Sequence, residues 1–274
     1  MKISRIAIVW NASKQGAAEC RDAVAQAAKL RGIETRIFGE YPIGADALAG
    51  TQLCCTIGGD GTILGVVESA VRNNVPIFGI NLGKLGYLAN YSAQNISAEL
   101  EEIFSGNCRK ASHSLLECTF GDDATTRRLA LNDVVIKAWE NFKIAALRVE
   151  SAEHGMINTF RGDGLIFTTS TGSTAYSLGS GGPLIHSDAD VFALTPLCPH
   201  TLSNRTVVFP RSMEILVGNN SAETPVGVSI DGTTPVRATG EFSLHIKLAQ
   251  EHVKILRPTT LSEFEILRTK LRWV

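Results

Sequence analysis

The feature that most constrains the fold is a change of hydrophobic period near residue 110. Before it, short apolar runs alternate with helix-forming segments. Ile3 to Trp10 reads as a buried strand, and residues 15–31, rich in Ala, Gln, Lys and Arg, read as a helix closed by Gly32. Ile33 to Phe38 and Gln52 to Ile57 read as strands, Ile63 to Arg72 as a helix, and Val75 to Ile80 as a fourth strand. This alternation predicts an α/β unit, a parallel sheet covered by helices, with ligands bound beyond the carboxyl ends of the strands.

After residue 110, Val-, Ile-, Thr- and Phe-rich segments follow in quick succession: Ser114 to Phe120, Leu129 to Ala138, Ala145 to Ala152, Leu165 to Thr169, Thr206 to Phe209 and Met213 to Val217. Glu241 to Leu248 alternates, with Phe242, Leu244, Ile246 and Leu248 on one face and Ser243, His245 and Lys247 on the other. This half reads as antiparallel β structure. Leu261, Phe264, Leu267 and Leu271 then return to helical spacing. A lone helix after an all-β unit needs a surface to pack on, and the N-terminal α/β unit is the expected one.

The chain has 274 residues, 44% hydrophobic and 19% charged, with a formal net charge of -1. That balance fits a folded globular protein and gives no concentrated positive footprint for nucleic acid; no basic run is longer than the pair Arg127-Arg128. The apolar stretch Ile6 to Trp10 is too short for a signal-peptide core, and no run approaches the roughly 20 residues of a membrane span, so a cytoplasmic location is expected. The six cysteines, Cys20, Cys54, Cys55, Cys108, Cys118 and Cys198, form no C-x-x-C pair, and Cys54-Cys55 lies in a strand where free cysteine acts as a small hydrophobe.

The chemistry-bearing segment of the first half is Gly58-Gly59-Asp60-Gly61-Thr62, between a buried strand and a helix. Glycines let a backbone approach a phosphate closely, successive N–H groups form an anion-binding concavity, and the helix adds the positive end of its dipole. Asp60 repels an anion, so it makes sense as a base accepting a hydroxyl proton, or as a contact to magnesium or to a ribose hydroxyl. The plainer reading of Asp60-Gly61 is a tight turn. A Walker loop is absent, since Gly79 to Lys84 is one residue short and Leu85 follows; so is G-x-G-x-x-G, because Gly65 comes one position late.

In the second half, residues 161–183 read RGDGLIFTTSTGSTAYSLGSGGP. Their hydroxyls and glycines offer many hydrogen-bonding groups with little bulk, suited to ribose and diphosphate oxygens or to a Ser/Thr-rich surface loop. Asn132-Asp133 interrupts an apolar segment as a bulge or a ligand contact. Asp163-Gly164 and Asp231-Gly232 read as turns. No histidine pair has metal-ligand spacing, and no G-x-S-x-G elbow occurs.

Together these segments resemble the NAD kinase family: GGDGT at 58–62, LND at 131–133, DGLIFTTSTGSTAYSLGSGGP at 163–183 and PHTLSNR at 199–205, supported by GINLGKLGYLA at 79–89, SIDGT at 229–233 and EILRTKLRW near the end. GGDGT is shared with lipid kinases and, more loosely, phosphofructokinases; GSTAYS followed by GGP is far more specific. The resemblance implies a Rossmann-like α/β domain over residues 1–110, onto which 256–274 packs back, and a β-sandwich-like NAD-binding domain over 111–255. It implies phosphorylation of the adenosine-ribose 2′-hydroxyl of NAD by ATP or polyphosphate, with Mg2+ held by the donor phosphates rather than by dedicated protein ligands. It further implies a homo-oligomer, usually a tetramer.

By motif position, Asp60 is the expected base and Gly58, Gly59, Gly61 and Thr62 the expected phosphate-binding residues. Tyr87, Asn132, Asp133, Arg161, Asp163, Thr171, Thr174, Ala175 and Tyr176 are the expected NAD-binding residues. The chain departs from the family pattern at Asp133, where Glu is frequent, at Ser170, where Pro is usual, and at Gly179, where Ser or Ala is common. The alternatives are a lipid or sugar kinase using the same loop, and a non-catalytic NAD-binding regulator.

Overall fold

The computed structural model describes residues 3–121, 123–140, 143–201, 203–219 and 225–273, with Ala124 described by its backbone alone. Met1, Lys2 and Val274 of the expected domain spans, and Leu202 of PHTLSNR, lie outside these residues. The chain forms two compact units, residues 1–112 with 253–274, and residues 113–252.

The first unit begins β1 (Arg5–Trp10), α1 (Ala17–Leu30), β2 (Glu34–Phe38), β3 (Leu53–Gly58), α2 (Asp60–Leu64), α3 (Val67–Arg72), β4 (Ile77–Asn81), β5 (Tyr91–Ser92) and α4 (Ile96–Ser105). β4, β3, β1 and β2 lie side by side, all parallel, as the alternating pattern predicts. Ile6, Ile8, Cys55, Ile57, Phe78 and Ile80 build the core of this unit against Val24 and Ala28 of α1. Burial pushes the Cys54 thiol up to about 12, in keeping with its apolar role.

The helix expected over Ile63 to Arg72 starts earlier, at Asp60, and is broken. At the break the Gly65 carbonyl accepts a hydrogen bond from the Ile43 N–H (3.1 Å), and a Cβ on Gly65 would meet the Tyr41 ring at 2.9 Å. The connection between β2 and β3 therefore separates α2 from α3 at Gly65.

The second unit contains most of β6 (Arg109–Phe120), β7 (Asp123–Ala130), β8 (Asp133–Ala138), β9 (Ala145–Ser151), β10 (Gly155–Gly162), β11 (Gly164–Thr169), α5 (Tyr176–Gly179), β12 (Val191–Leu197), β13 (Val207–Pro210), β14 (Ile215–Asn219), β15 (Val226–Ile230), β16 (Val236–Ala238) and most of β17 (Ser243–Arg257). One sheet runs β13-β12-β11-β8-β15-β16, all antiparallel. The other sets β10, β9, β14 and β17 side by side, with β6 on β17 and β7 on β6. Phe167, Phe192, Val134 and Val228 of the first sheet and Leu147, Val217, Leu244 and Ile246 of the second share one core, so the unit is a β-sandwich. Leu244, Ile246 and Leu248 are buried as their alternation predicts.

The segment Leu129 to Ala138 is two strands rather than one. β7 pairs with β6 and β8 pairs with β11 and β15, so the chain changes sheets at Leu131-Asn132. The last helix, α6 (Glu263–Leu271), belongs to the first unit. Its start is set by Ser262, whose hydroxyl accepts the Glu265 N–H at 3.1 Å. Ile266 and Leu267 are buried while Phe264, expected on the apolar face, is 56% exposed.

Candidate functional site

In the first unit the GGDGT segment lies at the carboxyl end of β3. Gly58 ends the strand at φ 156°, and a Cβ there would fall 2.4 Å from the Thr62 hydroxyl, so glycine is required. At Gly59 and Gly61 a Cβ would meet no protein atom within 4 Å, so packing does not demand glycine at either. Thr62 is buried beneath the turn.

Asp60 opens α2, and its carboxylate collects three successive N–H groups from the GKLGYLA segment. Oδ2 accepts from Tyr87 (2.9 Å), and Oδ1 accepts from Leu88 (3.0 Å) and Ala89 (2.9 Å). The approach is close enough that a Cβ on Gly86 would lie 2.3 Å from Asp60 Oδ1. Asn90 closes the loop by donating to the carbonyls of Gly86 and Tyr87. The half-buried Tyr87 ring carries Lys270 Nζ of α6 at 5.4 Å from its centroid, a cation–π contact.

In the second unit, the link between β7 and β8 is held in the same manner. Asp231 Oδ2 accepts from the Leu131 N–H (2.7 Å), and Oδ1 accepts from Asn132 (2.8 Å) and Asp133 (3.0 Å). The Asp231 N–H returns a bond to the Asp133 carbonyl (2.9 Å). Asp231 and Gly232 do form the expected turn, with φ of 48° and 72°. The part played by the Asp231 carboxylate is invisible to a turn reading.

The carbonyls of the link are bound from the other side. Thr169 Oγ1 donates to Leu131 O (2.6 Å), while Thr168 Oγ1 (3.1 Å) and the Thr169 N–H (3.0 Å) donate to Asn132 O. Gly172 packs so tightly here that a Cβ would sit 2.0 Å from Asn132 O. Asp133 is 6% exposed, and burial together with the nearby Asp231 charge raises its carboxyl to about 7. Burial raises Asp231 itself to about 6, against the opposing pull of its three N–H bonds.

Most hydroxyls of the 168–177 run bond inside the protein rather than facing out. Ser173 Oγ donates to Ser170 O (2.7 Å) and accepts the Ile185 N–H (3.0 Å), and Ser177 Oγ pairs with Thr195 Oγ1 (3.0 Å). The Thr171 hydroxyl meets Nδ1 of the buried His113 at 2.8 Å, and Thr174 Oγ1 donates to Thr171 O (3.2 Å). Ala175 precedes α5, and Tyr176, 45% exposed, begins it. Asp163 is the single residue joining β10 to β11 as the chain changes sheets, with Arg161 exposed near the end of β10. Its carboxylate accepts a hydrogen bond from the exposed Cys198 thiol, which raises the thiol above its ordinary range. Asn132, Asp133, Thr171, Thr174, Ala175 and Tyr176 thus gather on the two chain segments that follow β7 and β11. Asp231, Gly86 and His113 escaped the sequence reading, since each acts through backbone or buried contacts.

Among the described residues no group of three or more His, Cys, Asp or Glu side chains converges to hold a metal, and no helix is long and apolar enough to cross a membrane.

A family model of the ATP-NAD kinase C-terminal domain matches residues 131–258, and one of the ATP-NAD kinase N-terminal domain matches residues 17–108. The chain is 34% identical to an NAD kinase of Clostridium beijerinckii over 244 residues, 88% of this chain and 85% of that one. It is 33% identical to an NAD kinase of Geobacter metallireducens over 225 residues, 81% of this chain and 79% of that one. Two solved structures share the fold. Yeast NADH kinase complexed with NADH gives a TM-score of 0.83 at 21% identity, covering 98% of this chain and 86% of that one. An Archaeoglobus fulgidus NAD kinase in complex with ATP gives 0.80 at 24% identity, covering 98% of each chain. An α/β unit with an aspartate-bearing glycine turn, followed by a β-sandwich, defines a kinase class. Within that class the chain belongs to the NAD kinase family.

Proposed function

We propose that this enzyme transfers the terminal phosphoryl group of ATP, or of polyphosphate, to the 2′-hydroxyl of the adenosine ribose of NAD, giving NADP. The observation that carries this reading is the setting of Asp60. A carboxylate offers about four acceptor positions, and three are taken by the N–H groups of Tyr87, Leu88 and Ala89. The free position is on Oδ2, available to a hydroxyl. The group is therefore aimed before the substrate arrives, and positioning together with charge stabilisation supplies most of the catalysis in phosphoryl transfer.

In the proposed step the 2′-oxygen attacks the terminal phosphorus, its proton passes to Asp60 Oδ2, and the nucleoside diphosphate or shortened polyphosphate leaves with the bridging oxygen. Gly59 and Gly61, where a Cβ would meet no protein atom, leave room for donor phosphates to approach the backbone closely. Gly58 and Thr62 hold the turn in shape. Asn132, Asp133, Arg161, Asp163, Thr171, Thr174, Ala175 and Tyr176 are assigned to NAD binding, which makes residues 113–252 the NAD-binding unit, and Tyr87 is assigned to NAD binding as well. Mg2+ would enter bound to the donor phosphates and neutralise their charge, as suits a hard cation that keeps few protein ligands. A cytoplasmic homo-oligomer, a tetramer, completes the reading; light scattering of the purified protein tests the assembly.

The deciding experiment incubates the full chain with Mg2+, one donor (ATP or polyphosphate) and NAD or NADH, and quantifies NADP(H). Product with either donor is expected. No product with any donor would sink the reading.

A further inference from the structure

The link Leu131-Asn132-Asp133 has every backbone polar group accounted for, yet none of its three residues lies in the interior of a strand. Its N–H groups all go to Asp231. Its carbonyls go to Thr168, Thr169 and the Asp231 N–H. The side chains of Asn132 and Asp133 take no part. Neither makes a hydrogen bond among the described residues, although Asp133 is 6% exposed. Its carboxyl oxygens are not among the polar atoms sealed from solvent without a partner, so this largely desolvated group still reaches the surface, where a partner from outside can meet it.

Holding the link with a second carboxylate is also a poor choice for stability alone. Asp231 lies close enough to Asp133 for its charge to oppose ionisation there, and an asparagine at 231 would accept N–H groups without that repulsion. The carboxylate does something an amide does less well: its two oxygens accept three parallel N–H groups at once, fixing φ and ψ across the link.

We infer that Asp231 is a positioning residue for the acceptor sugar: by collecting the N–H groups of Leu131, Asn132 and Asp133 it fixes the direction in which Asn132 and Asp133 present their side chains to ribose hydroxyls. This rests on the reading that those two residues bind NAD. Asp231 makes no contact with the reacting atoms in this scheme.

The test compares the wild-type full chain with Asp231→Asn and Asp231→Glu, measuring the Kd for NAD by calorimetry without donor, and the KM for NAD and for ATP in turnover. Asp231→Asn should raise the NAD Kd and KM by about tenfold or more while the ATP KM stays within about twofold. The acid limb of NAD binding should also move to lower pH, because the charge opposing ionisation of Asp133 is gone. Asp231→Glu, which keeps the acceptors one methylene further out, should recover part of the loss. An NAD Kd unchanged within about twofold in the Asn variant, or NAD and ATP constants rising together, would overturn the assignment. Should Asp231→Asn fail to fold, Asp231→Glu is judged by the same criteria, and failure of both to fold marks a purely structural residue and overturns it too. A wild-type chain that binds NAD but forms no NADP removes the kinase reading and leaves the binding comparison decisive.

Discussion

Two aspartates in this chain, Asp60 and Asp231, stand in the same short word, Asp-Gly-Thr, and hold distant backbone in the same way. Each carboxylate takes two N–H groups on Oδ1 and one on Oδ2, from three consecutive residues. Their surroundings differ. Asp60 begins a helix after Gly59, and glycines that packing does not require flank it on both sides. Asp231 sits in a left-handed turn, desolvated and within reach of the Asp133 charge. One geometry thus serves two purposes: an aimed group left open to a substrate hydroxyl, and a clamp whose product is the direction of its neighbours' side chains.

The sharpest way to break this comparison is Asp60→Asn. The asparagine Oδ1 still accepts from part of the 87–89 segment, while its Nδ2 donates and takes no proton. Turnover should fall by roughly 10²–10⁴-fold with the NAD Kd changed little, read by steady-state kinetics and calorimetry. Near-normal kcat would reduce Asp60 to a clamp like Asp231.

Glycine-to-alanine changes separate the two devices next. In Gly86→Ala the new methyl would lie 2.3 Å from Asp60 Oδ1 and 2.9 Å from Ala89 O, displacing the carboxylate. A kcat loss on the order of 10–10²-fold is expected, larger in proportion than any change in melting temperature. In Gly172→Ala the methyl would lie 2.0 Å from Asn132 O. Overpacking of this kind costs about 1–3 kcal/mol, and the kinetic damage should fall on NAD affinity, leaving the ATP KM in place. The reverse assignment of effects would dissolve the distinction between the turns.

A third measurement uses pH. The Asp133 carboxyl holds its proton more tightly in the folded chain, at about 7, than at the ordinary 3.8 of an unfolded one. The folded state therefore binds more protons across that window, and stability falls as pH rises from about 4 through 7. Asp133→Asn removes this slope. Its melting temperature should exceed that of the wild type at pH 8 by an amount that shrinks as pH falls towards 5. A constant difference across that range would mean that burial and Asp231 do not govern the group.

The smallest effect is expected from Thr169→Val, which removes the hydroxyl joining Leu131 O and the Gly172 N–H. A loss of about 1–2 kcal/mol is expected in denaturant unfolding, with a modest rise in the NAD KM and none in the ATP KM.

The alternation of strand and helix made the first unit legible, because buried parallel strands such as Leu53–Gly58 are apolar runs bounded by glycine. GGDGT was equally visible, since Gly58 and Asp60 act within a few residues of where they stand. Other features depended on partners far away in sequence. The split at Gly65 comes from Ile43 and Tyr41, and the inward turn of the 168–177 hydroxyls comes from carbonyls at 131, 132 and 170. Asp231 acts about a hundred residues from its own turn. A local reading saw only the turn, although the repeated Asp-Gly-Thr was there to be noticed. In α6 the spacing placed Leu267 correctly, but Ser262 starts the helix after Leu261, and the buried face is centred on Ile266 and Leu267 rather than on Phe264.

The first unit is made of two separated stretches of chain, and this sets an order of assembly. Ile255 pairs with Ile77, and Leu256 enters the same core as Ile6, Phe78 and Ile80. A ribosome delivers residues 1–112 well before either, so the sheet that leads into Gly58 and Asp60 emerges with β5 beside Ile80 and Asn81 but with the Ile77 end of β4 uncovered. The sandwich of residues 113–252 has all its core strands in hand first. The half synthesised earliest is thus the half completed last, and the aspartate nominated for catalysis reaches its finished surroundings only when the final stretch, with Lys270 over Tyr87, has left the exit tunnel.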